Sequence, residues 1–143
     1  MIRNLVLLFF CLFTLISCQP AVGEKEQIKE TGNLLIGKWH SVKPDINQNY
    51  IFEENGKVDW IYRNQEDEDT FHLEYTFVDS MTPHFIDMRG FESGPLVGMV
   101  LYGIIEFRGK DSLIFDFQPG DSTHSRRPRT FMEDNAVVYK RVE

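Results

Sequence analysis

The chain predicts an all-β fold, a small antiparallel barrel of 8–9 strands behind a signal peptide and a flexible tether, on three observations. From Gly37 onward apolar residues recur at every second position, the spacing of a pleated strand whose alternate side chains face opposite ways. Two turn signals, Asn55-Gly56 and Gly109-Lys110-Asp111, separate such runs. The first segment is apolar, short and closed by a cysteine, which sets it apart from the body that follows.

Residues 1–17 carry Arg3, then twelve residues from Leu5 to Ile16 that are apolar apart from Thr14, then the small Ser17. This is the layout of a signal peptide. Crossing a hydrocarbon core takes about 20 apolar residues, so the run is too short to be a membrane span. Its last residues, Leu15-Ile16-Ser17-Cys18, resemble the lipobox of bacterial lipoproteins. The resemblance implies cleavage before Cys18, acylation of its sulfur and acylation of the new amino terminus. Each buried acyl methylene contributes about 0.8 kcal/mol, so two or three chains attach a protein durably to a membrane. Cys11 would leave with the leader and Cys18 would be consumed by the thioether. The mature domain then has no cysteine for a disulfide, a thiolate metal site or a nucleophile.

Residues 18–33 are expected to form a lipidated tether: Pro20, Gly23, Gly32 and the mixed charges of Glu24-Lys25-Glu26 describe a solvated spacer. Gln19 replaces the aspartate that resembles an inner-membrane retention signal, which favours the outer membrane, on its periplasmic or surface side. Loss of Arg3 moves the formal net charge from −7 to −8. A domain that acidic is repelled by phosphate backbones, so nucleic acid is excluded as a partner. The expected partner is a membrane, reached through acyl chains on Cys18.

Residues 34–143 supply one domain, long enough to remove roughly two-thirds of the unfolded chain's surface from water. A weakly helical stretch from Glu26 to Leu35 leads into it. The expected strands span 38–43, 48–53, 57–63, 70–78, 84–89, 100–107, 112–117, 129–133 and 136–142. Phe71, Leu73, Tyr75 and Phe77 mark one face of the fourth; Leu113, Phe115 and Phe117 mark one face of the seventh. A sheet of this size leaves two raw edges unless it closes, so a barrel is expected, with a sandwich as the rival. A monomer is the matching expectation.

Gly37-Lys38-Trp39, preceded by Leu34-Leu35-Ile36, resembles the G-x-W opening of the lipocalin (calycin) superfamily. There the tryptophan closes one end of the barrel and a basic residue near the last strand covers its ring. The candidates for that cation are Arg127, Arg129, Lys140 and Arg141, and Arg129 is the one chosen. Further along stand Tyr102-Gly103-Ile104-Ile105-Glu106-Phe107, Gly109-Lys110-Asp111-Ser112-Leu113, Arg127-Pro128-Arg129-Thr130-Phe131 and Val137-Val138-Tyr139-Lys140-Arg141. Together these are similar to an uncharacterised bacterial family of lipocalin-like domains common in planctomycetes, from which the chain departs by placing Tyr102 before Gly103. That resemblance implies a fold and an envelope setting, and no activity.

Reactive constellations are sparse. Asp45-Ile46-Asn47-Gln48-Asn49 starts like a calcium loop, but Tyr50 and Gly56 occupy the positions that need glycine and glutamate. Glu66-Asp67-Glu68-Asp69 reads as a solvated hairpin tip. His40, His72, His84 and His124 have no ligand spacing, so no metal or other cofactor is expected. No G-x-S-x-G elbow or other nucleophile with a base is present, and no catalytic residue is assigned. Arg126-Arg127-Pro128-Arg129 is the one basic concentration, with Arg126 and Arg127 placed at a ligand rim. The expected function is that of a membrane-anchored, non-enzymatic lipocalin-like lipoprotein of the bacterial envelope that binds a small apolar or amphiphilic ligand. The alternative is an envelope interaction or inhibitor module with a solid barrel, gripping a partner through residues 91–99.

Overall fold

The structure is a computed structural model that describes residues 34–64, 67–123 and 126–143. Eight strands follow one another round a closed antiparallel barrel: β1 (Gly37–Ser41), β2 (Gln48–Phe52), β3 (Lys57–Arg63), β4 (Glu68–Val78), β5 (His84–Arg89), β6 (Val100–Phe107), β7 (Ser112–Gly120) and β8 (Val137–Val142). Closure comes from β1 pairing with β8, with Trp39 opposite Arg141 and Ser41 opposite Tyr139. Among the described residues no strand is left with an unpaired edge, which answers the choice between barrel and sandwich. A closed eight-stranded barrel of this kind is consistent with a lipocalin-like fold.

The hairpins form where the turn residues lie. In the β2–β3 turn Gly56 takes φ 82°, and the Asn55 side-chain oxygen accepts from the Lys57 amide at 2.9 Å. Gly109, also at φ 82°, turns β6 into β7, and the Arg108 amide donates to the Ser112 carbonyl at 2.7 Å. Of the sequence-predicted helix from Glu26 to Leu35, only Leu34 and Leu35 are described, and both are helical. The leader and the whole tether, Cys18 included, lie outside the described residues.

One predicted strand does not form: 129–133 is a loop, and the barrel has eight strands rather than nine. Pro128 lacks an amide donor, and the Met132 amide donates to the Asp116 carboxylate at 2.8 Å instead of to a ladder. The Ala136 amide then closes a tight turn on the Met132 carbonyl at 2.7 Å, and β7 pairs directly with β8. The segment from Arg126 to Ala136 instead straps the outer wall. Ile104, Ile114 and Asp116 alternate with the inward residues of β6 and β7, so they point outward, yet all three are buried.

The interior is filled by rings. Tyr50 stands within 5.4–6.0 Å, centroid to centroid, of Phe52, Trp60, Phe115 and Tyr139. Gly103 makes room for this: a Cβ there would lie 2.6 Å from the Phe115 ring and 3.1 Å from Ile86. Burial of this aromatic cluster, not any cross-link, holds the barrel together.

Candidate functional site

The two ends of the barrel differ. One end gathers the chain's arrival at Gly37 and the short turns β2–β3, β4–β5 and β6–β7, with Trp39 beneath them, fully buried. The opposite end carries the β3–β4 hairpin and the three longest connections: residues 42–47, residues 90–99 and the strap. The first end is sealed and the second is open.

The seal is built from Trp39 and Arg141. The Trp39 indole N–H donates to the Leu35 carbonyl at 2.8 Å, and the Arg141 guanidinium lies 4.3 Å above the ring. Arg141 also donates to the carbonyls of Ile36 at 2.7 Å and Leu34 at 2.5 Å. The cation over Trp39 is therefore Arg141, not Arg129, because the β1–β8 register sets residue 141 opposite residue 39 while Arg129 is exposed on the strap. Gly37 is required beside it: its φ is 121°, and a Cβ would lie 2.7 Å from the Arg141 Nη1.

At the open end two clefts share Gln48 as a dividing wall. The first, of about 340 Å³, is lined by Gln48, Trp60, Tyr62, Asp69, Phe71, Ser93, Pro95 and Leu96. Trp60 and Phe71 form its base, their rings 5.4 Å apart, with the buried Phe91 wedged edge-on to both. The loop after β5 supplies the far wall. The second cleft, about 390 Å³, is more polar and lies between the start of β2, the end of β7 and the strap, where Arg126 and Asp134 stand at its edge. Below both, Tyr139 donates to the Gln48 side-chain oxygen at 3.0 Å. Burial raises the Tyr139 phenol above its ordinary pKa, and burial together with the neighbouring Tyr139 raises that of Tyr50. The Tyr50 hydroxyl and the Trp60 indole N–H have no hydrogen-bond partner among the described residues.

Arg126 thus lies where a rim residue was expected, and Arg127 does not. Its guanidinium folds onto the outer wall, donating to the Gly103 carbonyl at 2.6 Å and pairing with Asp87 at 2.5 Å, with the Phe85 ring at 4.3 Å. Of the histidines, His40 bonds Asn49 at 2.9 Å, His72 bonds Asp59 at 2.7 Å, and His84 packs against Phe77 and Phe107; His124 lies outside the described residues. Among the described residues no three histidine, cysteine or acidic side chains converge to hold a metal ion.

Asp69 is the lining residue that the sequence reading missed. The sequence alone puts Glu66-Asp67-Glu68-Asp69 in one loop; Glu66 lies outside the described residues, and Glu68 and Asp69 belong to β4. Glu68 faces out and pairs with Arg63. Asp69, opposite Tyr62, continues inward the series Phe71, Leu73, Tyr75. Extending that period two residues toward the amino terminus would have found it. Set against models of protein families, curated proteins and solved structures, the chain matches none of them.

Proposed function

We propose that the protein is a non-enzymatic lipocalin-like lipoprotein of the bacterial envelope, anchored through acyl chains on Cys18, that takes up a small apolar or amphiphilic molecule at its open end. The observation that carries this reading is the cleft floored by Trp60 and Phe71, whose volume of about 340 Å³ lies at the small end of the range for ligand sites, roughly 300–1,000 Å³. Apolar surface buried against those rings supplies affinity, and Gln48, Ser93 and Asp69 supply orientation. Because the interior below is packed with rings, the ligand is held at the mouth and not threaded through the barrel.

The anchor reading rests on Leu15-Ile16-Ser17-Cys18. The chain reaches the barrel at the sealed end, so a membrane tether and the cleft belong to opposite ends of the domain. The cleft then opens toward the aqueous phase, with the outer membrane as the favoured location. Mass spectrometry of the protein from native membranes tests the anchor: a mature chain beginning at an acylated Cys18 is expected, and an intact leader without acyl groups overturns it. Native mass spectrometry of gently purified protein tests the ligand, and an empty domain to which no lipophilic molecule binds defeats the reading.

The filled interior also favours a second reading, an interaction module whose barrel is a rigid scaffold. Val97 and Met99, 56% and 40% exposed on the loop after β5, are the contact residues it would use. Recovery from native envelopes of a stable complex that is lost on Val97→Asp would select this reading over the first.

A further inference from the structure

The floor and walls of the open-end cleft are apolar, and the charged side chain that lines it is an acid. Asp69 and Tyr62 face each other across β3 and β4 at the mouth, and both line the cleft with Trp60 and Phe71. Among the described residues no lysine, arginine or histidine lines it. Arg63, the nearest cation along β3, faces the outer wall and is engaged by Glu68. Among the described residues Asp69 has no salt-bridge partner, so its carboxylate stands at the edge of an aromatic bowl with its charge unanswered.

Three rings and a carboxylate around one hollow favour a particular charge. A cation gains from the negative faces of Trp, Tyr and Phe as well as from the carboxylate, whereas an anion is repelled by both. Apolar walls beside Pro95 and Leu96 favour a hydrocarbon body attached to that cation. The packed Tyr50, Phe115 and Tyr139 beneath limit its length. We infer that the cleft selects a compact organic cation, an amine or quaternary ammonium carried on a ring or short alkyl body, through Asp69 and the faces of Trp60, Tyr62 and Phe71. The inference rests on the ligand-binding reading above and narrows it to one charge class.

Three molecules that share a phenyl body test it: benzyltrimethylammonium, benzyl alcohol and benzenesulfonate, titrated into the purified full-length mature protein. Calorimetry gives the affinity, and the emission of Trp60, the tryptophan at the open end, reports the place. The cation is expected to bind roughly tenfold more tightly than the alcohol, with the sulfonate weakest. Asp69→Asn should bring the cation down toward the alcohol while leaving the alcohol's affinity unchanged. Asp69 is exposed and has no cation to lose, so this variant is expected to keep its fold, and circular dichroism checks it. Equal binding of all three, or a cation preference that survives Asp69→Asn, overturns the charge selection and leaves an apolar cleft standing. Absence of heat and of any Trp60 response with all three overturns the ligand-binding reading itself.

Discussion

Arg141 lies 4.3 Å above the Trp39 ring while two of its nitrogens hold the carbonyls of Leu34 and Ile36. One side chain from the last strand thereby joins three things: the first strand, the segment that brings the chain into the barrel, and the ring that seals the end. Charge-assisted hydrogen bonds of this kind contribute about 1.5–3 kcal/mol each, and a cation over an indole adds about 1 kcal/mol. Arg141→Met should cost about 3 kcal/mol in denaturant unfolding and shift Trp39 emission toward that of a solvated indole. Arg141→Lys should recover less than half, since an ammonium cannot reach two carbonyls with a planar fork. Arg129→Ala, on the exposed strap, should stay within about 0.5 kcal/mol of the parent. Equal losses at 129 and 141 would mean that the seal is not what secures the barrel.

Arg127 has a different task. Its pair with Asp87 is about four-fifths buried, with side-chain exposures of 18% and 21%, and the Gly103 carbonyl shares the guanidinium. Removing one partner of a buried pair leaves the other charge without compensation, a loss of about 3 kcal/mol. Arg127→Ala should therefore destabilise strongly, and Arg127→Ala with Asp87→Ala should cost less than the single change. A double variant as unstable as the sum of the two singles would show that the pair is not coupled.

Gly103 sits on β6 facing inward, with Phe115 packed into the space its missing side chain leaves. Gly103→Ala drives a methyl to within 2.6 Å of the Phe115 ring, 3.1 Å of Ile86 and 3.2 Å of the Asp116 carbonyl. Overpacking a filled core costs about 1–3 kcal/mol, and two of these three neighbours are themselves walled in. The midpoint of thermal unfolding should fall by several degrees. Phe115→Leu in the same chain should restore part of it by yielding the space, and an unchanged midpoint in Gly103→Ala would show the interior to be looser than its geometry.

Much of this architecture can be read locally. Period-two runs and the Asn55-Gly56 and Gly109-Lys110 turns depend on neighbours in sequence, and the strands they predict form with ends that coincide or move by a residue or two, and by more only at the end of β7. What stayed hidden depends on residues distant along the chain. Phe131 and Met132 look like strand residues until the Asp116 carboxylate, sixteen positions earlier, takes the Met132 amide. Four cations near the carboxyl end are equivalent candidates for Trp39 until the register of β1 on β8 selects Arg141. The open-end cleft combines β2, β3, β4 and the loop after β5, so composition announces its aromatic content but not its shape. Asp69 is the exception, since carrying the alternation of β4 two residues back from Phe71 would have assigned it an inward face.

Burial holds Tyr50 and Tyr139 protonated in the fold at pH values where an unfolded tyrosine, with a pKa near 10, has begun to ionise. The unfolded chain releases these protons first, so the stabilisation is complete below about pH 10 and is lost as pH climbs from there toward the raised folded values. Each phenol steepens that loss by at most about 1.4 kcal/mol per pH unit. Tyr50→Phe should remove one phenol's share of the slope above pH 10. At pH 7 it should melt no lower than the parent, since the hydroxyl it deletes is buried without a partner. Tyr139→Phe removes a comparable slope but also the bond to Gln48, and should cost about 1 kcal/mol at pH 7. Denaturant titrations of the three proteins between pH 7 and 12 separate these outcomes. A Tyr50→Phe curve parallel to the parent's above pH 10 would show that this phenol is not shielded from solvent at the centre of the barrel.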